Sequence, residues 1–227
     1  MSLAADLALT VGMSVNFNVR SVSDRLLDAL RRDPSLTGSL CDSSVDFDFV
    51  AYEQLWFSST RPEKREGARV TFERHRKAIH ADQEEALAPL VAAGLTRDEL
   101  GAVLHLGRSW WGMERMIVAP VGCRLVAESE GEAIGEDVGY GPAHLLFRFE
   151  LPAILDALAT VTREEAEARF RVYLEEDHAR RRAGGLGVPP PMTDEEFEEW
   201  SWQPFVRLRA FVVATAEAKG AVLRWYD

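Results

Sequence analysis

Cysteine is scarce in this chain. Cys41 and Cys123 are the only two among 227 residues, and no short Cys spacing occurs. That excludes a disulfide scaffold and a paired-cysteine zinc module; the two thiols read as small buried or half-buried side chains of a protein in a reducing compartment. Long apolar runs are missing as well, and nothing approaches the roughly 18 residues of a membrane helix. The opening MSLAADLALTVG has no basic stretch ahead of its short apolar one, so no signal peptide is expected. Basic charge is in deficit: 26 Lys and Arg stand against 37 Asp and Glu, a formal net charge of -11. A chain so acidic is not built to bind phosphate backbones. The expected setting is therefore the cytoplasm, with neither nucleic acid nor membrane as partner. The one basic run, Arg180 to Arg182, follows Glu175, Glu176 and Asp177 and reads as a solvated helix end.

Complete catalytic motifs are absent too. Gly184–Gly185–Leu186–Gly187 neither follows a strand pattern nor opens a helix, so it is no dinucleotide or phosphate loop. The stretch Gly107 to Gly112 contains Ser109 but lacks the spacing of a nucleophile elbow, and Ser109 fits a helix cap better. His75 and His80 are five apart, whereas a helix brings ligands together at three or four. His105 has no partner histidine at helical spacing. No metal site and no cofactor are expected, and no catalytic residue can be assigned.

What is present suffices for an ordinary core: 47% of residues are hydrophobic, and a chain of this length buries about 70% of its unfolded surface. Met13, Val15, Phe17 and Val19 alternate with polar residues, predicting a strand with one apolar and one polar face. Ser21 and Asp24 resemble a capping box, and Asp33–Pro34 stops the helix that follows. Leu36 to Asp46 reads as loop and Phe47 to Phe57 as helix. Val70 to Leu90 reads as a solvent-facing helix or helix pair. Thr96 with Glu99 predicts a helix through Leu106, followed by another over Gly107 to Val118. Gly122 to Ala127 and His144 to Phe147 read as strands. Leu151 to Leu158 is helical, Thr162 with Glu165 opens a helix to about Tyr173, and residues 183–192 read as a flexible linker. Thr193 with Glu196 opens the last helix, Gly220 ends it, and Ala221 to Tyr226 alternates as a strand.

The densest signal is GEAIGEDVGYGPAHLL, residues 131–146. Four glycines and a proline in sixteen residues cannot form a regular helix or an uninterrupted strand, so the backbone there needs special angles. Glu136 and Asp137 are neighbours that point to opposite sides of an extended chain. They read as cation ligands or as turn acids that accept backbone N–H groups. Tyr140, between two glycines, either lines a pocket or packs across the turn with its hydroxyl satisfied by backbone. His144 titrates near neutrality and is the best general-base candidate if there is catalysis. Trp110 and Trp111 point about 100° apart on a helix, so one can enter the core while the other lines a groove beside Arg108.

Three blocks carry a family resemblance: GMSVNFNV, IGEDVGYGPAHLL and FVRLRAFVVATAEAKGAVLRWYD. In order and spacing they resemble the YfbM-like family, a bacterial domain of unknown function, over Met13 to Asp227 with gaps. The resemblance implies an α+β fold: a small, mostly antiparallel sheet packed with helices. Residues 1–12 then read as a leader, and 13–227 as one domain carrying a helical insertion at about 52–94. Against the family pattern Arg108 stands where Lys is usual, Trp110 matches the family Trp, and Trp111 stands where His often occurs. The leading expectation is a non-catalytic binding or protein-interaction domain whose partner has a basic surface. The alternative is a small-molecule enzyme, hydrolase-like, built around the Gly-Tyr-Gly-Pro turn. The ligand-binding candidates under both are Tyr140, Glu136, Asp137, His144, Arg108 and Trp111.

Overall fold

Strand β1 (Phe17–Val22) is the first element of the computed structural model, which describes residues 16–59, 64–107, 110–117, 122, 124–126 and 131–227. The alternation expected there is present, but the polar face is not wet. Asn18 and Arg20 are 2% and 0% exposed, because helices cover both sides of the strand. The predicted start at Met13 and the leader at 1–12 lie outside the described residues.

Helix α1 (Asp24–Arg32) is capped by Ser23, whose side-chain oxygen accepts from the Leu26 amide at 3.2 Å. The expected cap pair of Ser21 and Asp24 is displaced by two residues, since Ser21 still belongs to β1. The predicted loop after Pro34 contains helix α2 (Leu36–Cys41). Its Ser, Thr and Gly content favours a loop, and burial of Leu36, Thr37, Leu40 and Cys41 overrides that weak preference. Helices α3 (Phe49–Ser59) and α4 (Arg65–Ala92) run antiparallel. Phe49 stacks on His80 at 4.0 Å, and Tyr52 and Trp56 both lie on Phe72. The charged stretch expected as a helix or helix pair is thus one 28-residue helix, about 42 Å long at 1.5 Å per residue.

The Thr96–Glu99 capping box forms, yet it opens only one tight turn, Arg97–Leu100. Gly101 has φ +77°, and a Cβ there would lie 1.9 Å from the Ser21 carbonyl oxygen. The chain therefore leaves helical geometry and becomes strand β2 (Val103–Gly107), where a helix was expected. Helix α5 (Trp110–Met116) follows. Residues 124–126, expected as strand, form a turn closed by the Leu125 amide on the Gly122 carbonyl at 3.1 Å. Strands β3 (Glu132–Asp137) and β4 (Pro142–Leu146) come next. After them run α6 (Leu151–Ala159), α7 (Arg163–Ala183) and α8 (Asp194–Phe197). A π-helical turn, Glu198–Trp202, leads into α9 (Gln203–Glu217), and β5 (Ala221–Tyr226) closes the series. Helix α7 extends ten residues past the expected end at Tyr173. The residue at positive φ after α9 is Lys219, at +58°, and not Gly220.

The fold is α+β. Five strands form one sheet in the order β2-β1-β5-β4-β3, and each of its ladders is antiparallel. On one face Phe17, Val19, Leu146, Val222 and Tyr226 pack with α5, α6, α7 and α9. On the other, Val22, Leu145, Leu223 and Trp225 pack with α1, α2 and the C-terminal part of α4. Sandwiched between these layers, β5 is buried at all six residues.

Candidate functional site

Strand β3 meets β4 in register at Ala133–His144 and Ile134–Ala143, then slips before Asp137–Pro142. Gly135 and Glu136 are therefore extra residues on one strand, a bulge. Gly135 has φ +77°, and a Cβ on it would sit 2.6 Å from Thr37 Cβ, so α2 packs directly on the bulge. The turn beyond closes with the Val138 amide on the Gly141 carbonyl at 2.9 Å. Its tip is fastened to β5, because the Tyr140 amide donates to the Tyr226 carbonyl at 3.1 Å. Gly131, Gly135, Gly139 and Gly141 all have positive φ. The special backbone angles expected of this segment are what the glycines supply.

The side chains so positioned are mostly turned outward. Glu136 and Asp137 are exposed, and Tyr140 is 37% exposed. Among the described residues neither carboxylate accepts a hydrogen bond or forms an ion pair, and the Tyr140 hydroxyl bonds to nothing. The turn acids do not serve as local caps, and the ring does not lock the turn through its hydroxyl; the backbone does that. His144 is half-buried on β4, across from Arg224 of β5. Burial holds its imidazole below the ordinary value, and the Arg224 guanidinium adds to this, against a bond to the Gly131 backbone that raises it. Its Nδ1 is buried with no hydrogen-bond partner among the described residues. No hydrogen bond joins Glu136, Asp137, Tyr140 and His144 to one another among the described residues. Arg108 lies outside the described residues. Trp111 is in α5, with its side chain outside them.

A polar centre that sequence reading missed lies across the sheet. Arg20 is fully buried and pairs with Asp46, Nη1 to Oδ1 at 3.2 Å and Nη2 to Oδ2. Nη2 also donates to the Leu40 carbonyl at 3.0 Å and Nη1 to those of Leu100 and Gly101 at 3.2 and 3.3 Å, while Nε has no partner among the described residues. Cys41 is buried beside this pair. Burial pushes its thiol up, Arg20 pulls it down, and Asp227 and Asp46 raise it further. A thiol held protonated is a poor nucleophile, and the hydrogen bonds of Arg20 tie α2 and the loops bearing Asp46 and Gly101 to the sheet. The only signal for it in the sequence was a lone Arg in an alternating strand. An aromatic cleft was likewise missed: Phe147 and Phe149 stack at 5.5 Å, with Arg31 over Phe147 at 5.4 Å.

Among the described residues no cluster of three or more His, Cys, Asp or Glu could hold a metal ion, and no helix is long and apolar enough to cross a membrane. Residues 13–225 match the domain of unknown function DUF1877. The chain belongs to that family. Its boundaries enclose β1 at one end and all but the last residue of β5 at the other, so the match takes in every strand of the sheet. No curated protein and no solved structure matches this DUF1877 chain.

Proposed function

We propose that this DUF1877 protein is a non-catalytic, cytoplasmic interaction domain of the YfbM-like type. It presents the Glu136–Tyr140 turn to a protein of basic surface. One observation carries the reading: the turn is held by its backbone hydrogen bonds and by Val138 packed on the core, while the side chains of Glu136, Asp137 and Tyr140 are exposed and take part in no hydrogen bond among the described residues. An ordered aromatic ring flanked by free carboxylates suits a cationic partner, because Tyr supplies contact area at small entropy cost and charge steers encounter. The net charge of -11 extends the same attraction over the whole molecule.

Titrating isotope-labelled protein with a lysine-rich peptide tests it. Amide shifts centred on residues 131–142, abolished by Tyr140→Ala and by Glu136→Gln with Asp137→Asn, support the reading. Shifts spread evenly over the acidic surface and unchanged in those variants end it.

A hydrolase-like reading is favoured by one feature, the half-buried His144, whose proton affinity burial and Arg224 lower and whose Nδ1 has no partner among the described residues. A neutral imidazole can act as a base. Turnover of small ester or amide substrates that vanishes in His144→Gln would establish it, and turnover indifferent to that change would remove it.

A further inference from the structure

Helix α4 is held from one side. Phe72, Gln83, Ala86 and Leu90 are buried and lie along one stripe against α3 and α2. The opposite stripe runs from Val70 through Arg74, Lys77, Ala81 and Glu84 to Val91, and each of these residues is exposed. The two valines at its ends are 74% and 63% exposed.

Charge on this face is segregated. Arg69, Arg74 and Lys77 occupy the N-terminal half, with Glu73 among them, and Asp82, Glu84 and Glu85 the C-terminal half. Apart from Glu73, none of these side chains forms an ion pair or a hydrogen bond among the described residues; nearby in the helix, Arg76 pairs with Glu73 at 3.3 Å. No Lys or Arg lies three or four positions from any of the three acids of the C-terminal half, so the helix offers them no neutralising neighbour. The order also opposes the helix dipole, which favours acids toward the N-terminus and bases toward the C-terminus. Stability of the isolated helix therefore does not account for the pattern.

We infer that α4 pairs antiparallel with α4 of a second copy of this chain, about a two-fold axis near Ala81. Reversal of direction sets each basic half against an acidic half, so Arg74 and Lys77 of one copy meet Glu84 and Glu85 of the other, twice. Val70 approaches the far end of the partner helix near Val91. The small Ala81 at the crossing lets the backbones come close. A parallel pair would oppose like charges. A purely basic or purely acidic foreign partner would match one half and be repelled by the other. The contact is isologous and closes as a dimer. It uses none of the residues of the Glu136–Tyr140 turn, so it stands or falls independently of that assignment.

Mass measured by light scattering against concentration and salt provides the test. At low ionic strength the mass should rise from the 25.4 kDa of one chain toward twice that value, and salt should reverse the rise, because exposed pairs are screened. Arg74→Glu with Lys77→Glu, and separately Glu84→Lys with Glu85→Lys, should each weaken association by more than about tenfold, since attraction becomes repulsion. Mixing these two variants should restore a dimer, and so should all four substitutions in one chain, which leaves the net charge at -11. All four positions are exposed, and unchanged helicity by circular dichroism verifies folding. A mass of one chain under every condition, a dimer indifferent to the reversals, or no recovery on mixing would each overturn the assignment.

Discussion

The Tyr140 amide donates to the Tyr226 carbonyl at 3.1 Å, so the tip of the β3–β4 turn is fastened to the end of the central strand. Gly139 makes this approach possible. A Cβ there would lie 2.4 Å from the Tyr226 oxygen, at φ +137°. Gly141 has φ +119° but nothing within 4 Å of its own Cβ position. Gly139→Ala should therefore cost roughly 2–3 kcal/mol and Gly141→Ala about 1 kcal/mol, backbone strain being common to both and the clash present only in the first. Urea denaturation of the two variants checks the difference.

Asp46→Ala should be far more damaging than a loop substitution normally is. It leaves the Arg20 guanidinium buried without its carboxylate, and breaking such a pair costs about 3–5 kcal/mol. Asp46 retains 17% side-chain exposure, so water can reach the vacancy and the lower figure is expected. Replacing both partners, Arg20→Met with Asp46→Leu, should recover part of the loss in the same denaturation assay.

His144 should confer a pH dependence on stability. Its folded-state affinity for protons is depressed relative to the ordinary value of 6.5. The unfolded chain thus binds a proton that the folded one resists, and stability falls as pH drops below that value, levelling off below the folded one. Comparing wild type with His144→Gln between pH 5 and pH 8, about the span in which histidine titrates, isolates the contribution; equal slopes would contradict it.

Lys219→Gly should stabilise the protein. Lys219 is the one non-glycine among the described residues at positive φ. Relief of about 1 kcal/mol of left-handed strain outweighs the freedom glycine gains on unfolding, leaving a net gain of roughly 0.5 kcal/mol. Thermal unfolding should report a small upward shift of the midpoint.

Local signals were legible where local physics decides the structure. The Thr96–Glu99 and Thr193–Glu196 boxes form as expected, and the crowded glycines of residues 131–146 do take up positive φ. Misreadings arose where distant contacts decide. Leu100, Val103, Leu104 and Leu106 are compatible with either period, and the jam of Gly101 against Ser21 ends the turn at Leu100 and sets the last three in a strand. Asn18 and Arg20 looked solvent-facing, because nothing near them in the chain announces that α1, α2 and the loop bearing Asp46 cover that face. The same holds at the candidate site: Tyr140, Glu136 and Asp137 could be named from glycine spacing alone, whereas the environment of His144 depends on Arg224, eighty residues on.

Placing β5 between β1 and β4 has a consequence for how the chain reaches its fold. The β1–β2 and β3–β4 pairs share no edge of their own, and only residues 221–226 join them. Sheet closure therefore waits on contacts of long sequence separation, which slows folding. Until it happens, both pairs carry an open edge of unpaired amides and carbonyls rich in Val, Leu and Phe, the kind of template on which chains aggregate. A nascent or truncated chain lacking Ala221 to Tyr226 should be a client for chaperones.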